Sequence, residues 1–163
     1  MRGAGPVWAD LGAGRGAFTL ALAELLGAGA EIHAVDRDPG ALRELTRVLN
    51  SSYPAVHLVA HAVDFTQPLD LPRLDGIVMA NSLHFVEHQA RLLARLRGYL
   101  QPTGRLILVE YNTDRGNRWV PYPVSYGSWA KLAAGAGFLR TQLLATQPSS
   151  FLGEFFSARS DVQ

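Results

Sequence analysis

Three glycines at alternate positions, Gly12, Gly14 and Gly16, follow an apolar run that closes on an acid, Val7-Trp8-Ala9-Asp10. Without a Cβ the backbone can turn sharply there and pass close to a ligand. A turn from strand to helix is expected to aim amide groups outward, and the helix N-terminus adds partial positive charge. This is chemistry for the polar middle of a nucleoside-like cofactor. Two patterns fit. Gly12-Ala13-Gly14-Arg15-Gly16-Ala17 satisfies the dinucleotide form, in which pyrophosphate rests on the helix N-terminus. With Asp10 ahead of it the same turn suits a ligand carrying an ammonium and a sulfonium, because a carboxylate repels a pyrophosphate.

Further groups of this kind recur at the ends of apolar runs. Asp36-Arg37 closes the second run, and Asp38-Pro39 reads as a helix N-cap with proline at the first helical position, which leaves Asp36 free for a ribose. Asp64-Phe65 closes the third, an acceptor for an adenine amino group beside a ring to pack on it. Asn81-Ser82-Leu83-His84 follows the fourth, and Glu110-Tyr111 the fifth. His84, Glu110 and Tyr111 are the candidate proton acceptors, with imidazole best suited to the task near neutrality. His88 reads as a surface residue, and His33, His57 and His61 as structural. A long segment from Tyr111 to Tyr126 carries Trp119, Tyr122 and Tyr126, candidates for substrate contact.

The elements that must position these residues alternate between strand and helix. Strands are expected at 6–9, 31–35, 56–63, 76–80 and 105–110, the first too apolar to face water on either side, as a central parallel strand should be. Helices are expected at about 15–26, with Phe18, Leu22, Leu25 and Leu26 on its buried face, and at 39–49, 87–99 and 125–136. Pro68 and Pro72 argue against a long helix between the third and fourth strands. Two closing runs, 139–146 and 154–159, read as an antiparallel pair.

Composition bounds the function. The 163 residues suffice for one domain with a real core. No apolar run reaches the length of a membrane span, and the first residues lack a signal-peptide pattern. The net charge of +1 offers no extended phosphate-binding face, so nucleic acid is not an expected partner. Cysteine is absent, which excludes thiolate metal sites, cysteine nucleophiles and disulfides, and a cytoplasmic setting is the expectation. No carboxylate cluster at metal-ligand spacing is present, so no metal is expected.

Taken together, Asp10-Leu11-Gly12-Ala13-Gly14-Arg15-Gly16, Asp36, Asp64-Phe65, Asn81-Ser82-Leu83-His84-Phe85-Val86 and Leu100-Gln101-Pro102-Thr103-Gly104 resemble the class I S-adenosylmethionine (SAM)-dependent methyltransferases of small-molecule type. The resemblance covers nearly the whole chain. It implies a doubly wound, mostly parallel α/β sheet of seven strands in order 3-2-1-4-5-7-6, strand seven antiparallel, within three αβα layers. It implies SAM as cofactor and S-adenosylhomocysteine as product. Asp10 and the Gly12, Ala13, Gly14 and Gly16 backbone would hold the methionine moiety. Asp36 with Arg37 would hold the ribose, Asp64 and Phe65 the adenine, and Asn81, Ser82 and Leu83 the sulfonium side. The domain, residues 1–163, would lack the family's usual N-terminal cap helices, so that the site is open, or covered by a second subunit of a homodimer, or covered by the 111–126 segment. A small organic acceptor is the expected substrate. The alternatives are a SAM-binding scaffold without catalysis and a nicotinamide-dependent oxidoreductase.

Overall fold

A computed structural model describes residues 5–163. Its seven strands form one sheet in the order β3-β2-β1-β4-β5-β7-β6, with β1–β5 mutually parallel and β7 antiparallel to both β5 and β6. The expected fold class is thus the observed one.

The strands are β1 Val7–Leu11, β2 Glu31–Asp36, β3 His57–Ala62, β4 Leu74–Ala80, β5 Leu100–Tyr111, β6 Arg140–Ser149 and β7 Gly153–Asp161. The helices are α1 Ala17–Leu26, α2 Pro39–Ser52, α3 Gln89–Tyr99 and α4 Tyr126–Gly135, with a 3₁₀ turn at Leu83–Phe85. The glycine turn thus begins after Leu11 rather than after Ala9, because β1 continues in register with β2 as far as Leu11 opposite Val35. β5 likewise begins at Leu100, where it pairs with Leu74 ahead of a bulge, so the Pro102-Thr103-Gly104 turn lies within the strand.

Two apolar cores lie on opposite faces of the sheet. One joins Leu22 and Ala23 of α1 and Leu42, Leu45 and Leu49 of α2 to Ile32 and Ala34. The other joins Leu92, Leu93 and Leu96 of α3 and Trp129 and Ala133 of α4 to Leu11, Met79, Leu106 and Phe156. The expected buried face of α1 is only partly right. Leu22 is buried but Leu25 is 82% exposed, and Thr19 and Ala23 take the inward positions. Phe18 and Leu26 pack partly against the same core, so the departure is confined to Leu25. Gly16, in the left-handed region at φ 89°, is the N-cap, and it sets the rotation of the first turn.

Asp38 caps α2 as expected, its Oδ1 accepting from Gly40 N at 2.7 Å and Ala41 N at 3.2 Å. No helix spans 64–73, so the β2 and β3 face on that side carries polar groups. There His33 Nε2 lies 2.9 Å from Glu31 Oε1, and His33 Nδ1 lies 2.9 Å from His61 Nε2. The expected structural role holds for His33 and His61, while His57 is exposed. No described helix is long and apolar enough to cross a membrane.

Candidate active site

The strand order reverses between β2-β1 and β4-β5, so the carboxyl ends of β1 and β4 open a crevice at the switch point. The glycine turn forms one wall. Gly12, Gly14 and Gly16 take φ of 86°, 52° and 89°, the left-handed region that glycine enters without a steric penalty. A Cβ on Gly16 would sit 2.1 Å from Leu45 Cδ1, whereas one on Gly14 would meet nothing within 4 Å. Gly16 therefore serves packing, and Gly14 faces open space at the mouth of the crevice.

Four amides of this turn, those of Gly12, Ala13, Gly14 and Gly16, bond within the protein instead of pointing outward as expected. Gly12 N and Ala13 N donate to Val35 O at 2.8 and 3.1 Å, and Gly16 N donates to Ala13 O at 2.8 Å. Gly14 N donates to Asp36 Oδ2 at 2.7 Å. Those four donors are not available to a pyrophosphate. What the turn offers is acceptors, the Asp36 carboxylate and loop carbonyls, and that set suits an ammonium and ribose hydroxyls.

Asp10 is 1% exposed and accepts from Thr19 Oγ1 at 2.6 Å. Burial, partly offset by that bond and reinforced by Asp36, pushes its carboxyl up to about 6. Its direct partner is α1, and Thr19 was not legible as a site residue from sequence. Asp36 braces the turn through both oxygens, Oδ1 accepting from Asp38 N at 2.9 Å and Oδ2 from Gly14 N. Arg37 is exposed and lies near Asp64. Asp64 Oδ1 accepts from Thr66 N at 2.8 Å. Burial opposes its ionisation, but the Thr66 bonds and Arg37 outweigh burial and hold its carboxyl below the ordinary value. Phe65 Cε1 lies 3.6 Å from the position of a Cβ on Gly12, which brings the third-strand aromatic to the glycine turn.

The opposite wall follows β4. Asn81, at φ 52°, is the sole described non-glycine residue in the left-handed region, held there by its N–H to Val109 O at 2.9 Å. That strain at the crevice is typical of a functional position. Ser82 Oγ donates to Leu11 O at 2.7 Å and ties this segment to β1. Leu83 departs from its expected contact with a cofactor: its side chain is fully buried among the core residues. Its backbone carbonyl takes bonds from Val86 N and Gln89 Nε2. The 3₁₀ turn rotates it inward and leaves Phe85 exposed, with His84 buried beside it.

His84 and Glu110 meet. His84 Nδ1 lies 2.8 Å from Glu110 Oε2, and the two side chains are 5% and 0% exposed. Glu110 is anchored further by N–H donors from His84 at 3.2 Å and Tyr111 at 3.3 Å. A carboxylate only accepts, so with Glu110 in that form the proton would sit on Nδ1 and leave a lone pair on Nε2, which has no described partner. The imidazole is flanked by the rings of Phe85 at 4.2 Å and Tyr111 at 6.1 Å. Tyr111 continues into Phe155, stacked at 4.2 Å, and Phe151, edge-on at 5.8 Å. Phe85, Phe151 and Phe155 were missed in the sequence. The alternation along β7 gives Phe155 no chemical signature, and only the β5–β7 pairing sets it opposite Tyr111.

The 111–126 segment divides. Trp119 and Tyr122 are 69% and 40% exposed, and Tyr122 N donates to His84 O at 2.9 Å, so this part of the loop is tied to the dyad. Tyr126 is not there. Its hydroxyl accepts from Leu143 N at 3.1 Å and its ring packs on Phe156, so its role is to join α4 to the β6–β7 pair. No group of three or more metal-ligating side chains occurs among the described residues.

A family model described as "Methyltransferase domain" matches residues 9–106. No curated protein matches the sequence significantly. Many solved structures share the fold. The CurJ carbon methyltransferase superposes at TM-score 0.79 with 21% identity, over 97% of this chain and 48% of its own. The Burkholderia thailandensis 1,6-didemethyltoxoflavin-N1-methyltransferase, solved with S-adenosylhomocysteine, gives 0.73 and 24% over 96% and 70%. A SAM-dependent methyltransferase from Aquifex aeolicus gives 0.70 and 18% over 97% and 82%. The chain thus spans about half the length of the first of these.

Proposed function

The chain belongs to the methyltransferase domain family, and on that premise we propose that it methylates, from SAM, a small acceptor that must lose a proton. The observation that carries this reading is the buried His84–Glu110 pair at 2.8 Å. Methyl transfer from a sulfonium needs alignment and exclusion of water, together worth roughly 7–11 kcal/mol, and no base unless the acceptor is acidic. A histidine whose Nδ1–H is fixed by a buried carboxylate is costly to place and suits removal of a proton from a phenol or from a carbon flanked by carbonyls.

SAM supplies an electrophilic methyl group when bound. The residues fit it: Asp36 for the ribose hydroxyls, Asp64 and Phe65 for the adenine, Asp10 and loop carbonyls near the ammonium, and the open face of Gly14 for the close approach. His84 Nε2 then takes the acceptor proton, and Glu110 stabilises the imidazolium through Nδ1–H. With the proton held on His84, the acceptor would be left with the electron pair that methyl transfer from SAM requires. Trp119 and Tyr122 would contact the acceptor and exclude water. One protein of the same fold is a carbon methyltransferase, so the fold accommodates such an acceptor.

The test is turnover with S-adenosylhomocysteine as the measured product, over paired acceptors that do and do not ionise. Product with phenols or 1,3-dicarbonyl compounds, lost in His84→Ala while SAM still binds, is expected. SAM binding without product from any acceptor would favour a non-catalytic scaffold.

A further inference from the structure

Beside the dyad lies a cleft whose chemistry methyl donation does not use. It has a volume of about 470 Å³ and runs between the segment after β3 and the start of α3. Phe85, 59% exposed, gives it an apolar wall, and Arg91 and Arg95 line it from α3. These arginines are four residues apart on one helix and so share a face, an unfavourable arrangement for like charges unless something neutralises them. Among the described residues no carboxylate lies within ion-pair distance of either guanidinium, the ion pairs joining His33 to Glu31, His84 to Glu110, and Arg140 and Arg159 to Asp161. Arg95 Nη1 donates to Thr66 O at 2.6 Å, which fixes that guanidinium at the cleft wall. Arg91 is exposed, and His88 and the carboxylate of Glu87, both exposed, also line the cleft.

We propose that this cleft binds an organic anion, a phosphate or carboxylate on an apolar or aromatic body, and that this anion is the distal part of the methyl acceptor. The second half rests on the function proposed above. A guanidinium fork matches the paired oxygens of either anion, and the half-exposed Phe85 ring offers the body a surface. Phe85 also packs on His84 at 4.2 Å, so a ligand in the cleft is one ring away from the proposed base. Glu87 disfavours a purely anionic ligand lying across the whole cleft and confines the charge to the Arg91–Arg95 end.

Calorimetric titration of the full chain with phenyl phosphate, benzoate and benzyl alcohol tests this. The two anions should bind at least about tenfold more tightly than the alcohol, as expected for a charge-assisted pair. Arg91→Gln should remove that preference, Arg91→Lys should keep part of it, and SAM affinity should not change in either variant. Equal binding of all three probes, or an undiminished preference in Arg91→Gln, would overturn the proposal. An equal loss of SAM affinity would assign the arginine to the cofactor and overturn it too, as would a marked preference for a single-stranded oligonucleotide over phenyl phosphate. The two readings fail separately. Anion binding without SAM binding would leave the cleft and remove the methyltransferase, whereas SAM binding without anion binding would do the reverse.

Discussion

His84 and Glu110 lie 26 positions apart in the chain and 2.8 Å apart in the fold, and each is informative only beside the other. As a base held by a carboxylate, His84 should be hard to replace. We expect His84→Ala to lower turnover by about 10²–10⁴-fold, with Glu110→Gln lowering it less, and with SAM affinity unchanged by titration. A fall in SAM affinity that accounts for the whole rate loss would count against the base role. Asp10 gives a second prediction at this scale. Its carboxyl is raised from 3.8 to about 6 by burial, so the folded state holds that proton more tightly than the unfolded chain. Stability from this group is therefore full below pH 3.8 and is lost as pH rises through about 6. Asp10→Asn should remove that slope and raise stability at pH 7.5 by on the order of 2 kcal/mol in denaturant melts. Because a bound ammonium favours the ionised form, the same variant should weaken SAM binding and flatten its rise between pH 5 and 7.

Among the elements, the glycine turn separates into parts with different jobs. Gly16→Ala meets Leu45 at 2.1 Å and keeps an unfavourable φ of 89°. It should cost about 2–4 kcal/mol of stability, read by thermal or denaturant unfolding. Gly14→Ala has the φ penalty alone, about 1–2 kcal/mol, but its methyl group projects into the crevice. Its larger effect should be on SAM affinity, and an affinity loss no greater than that of Gly16→Ala would show that the ligand does not pass there. Within the 111–126 loop, Trp119 is 69% exposed, so Trp119→Ala should alter stability by no more than about 0.5 kcal/mol. An acceptor KM that rises in that variant, with its Tm unmoved, is the expected result. The turn, the Asp38 cap and the strand ends were readable because short-range patterns dictate them. The inward rotation of Leu83 was not, because the 3₁₀ turn after β4 is set by Ser82 bonding across to Leu11 O.

Over the whole molecule, two buried networks on the sheet respond to pH in opposite senses. Burial and the neighbouring His33 hold His61 below its ordinary value of 6.5, against a smaller opposing pull from Asp70. The folded state thus disfavours that proton, and stability is lost as pH falls below 6.5, while Asp10 loses it as pH rises toward 6. His61→Gln should steady the protein on the acid side of 6.5 without touching the Asp10 slope, as successive melts across pH would show.

The sequence by itself determined the alternation of strands and helices, the glycine turn and the polar residues at the ends of the parallel strands, and the strand order followed only as what the family resemblance implies. The former depend on local periodicity, on glycine and proline geometry, and on the rule that ligands gather at the carboxyl ends of such strands. Only the tertiary structure decided which of those residues lie together. It paired His84 with Glu110, turned Asp10 toward Thr19, moved Tyr126 out of the site and brought in Phe85, Phe151 and Phe155. The physical reason is that strand register and the tilt of a single 3₁₀ turn are fixed by bonds between segments far apart in the chain, and no local pattern carries that information.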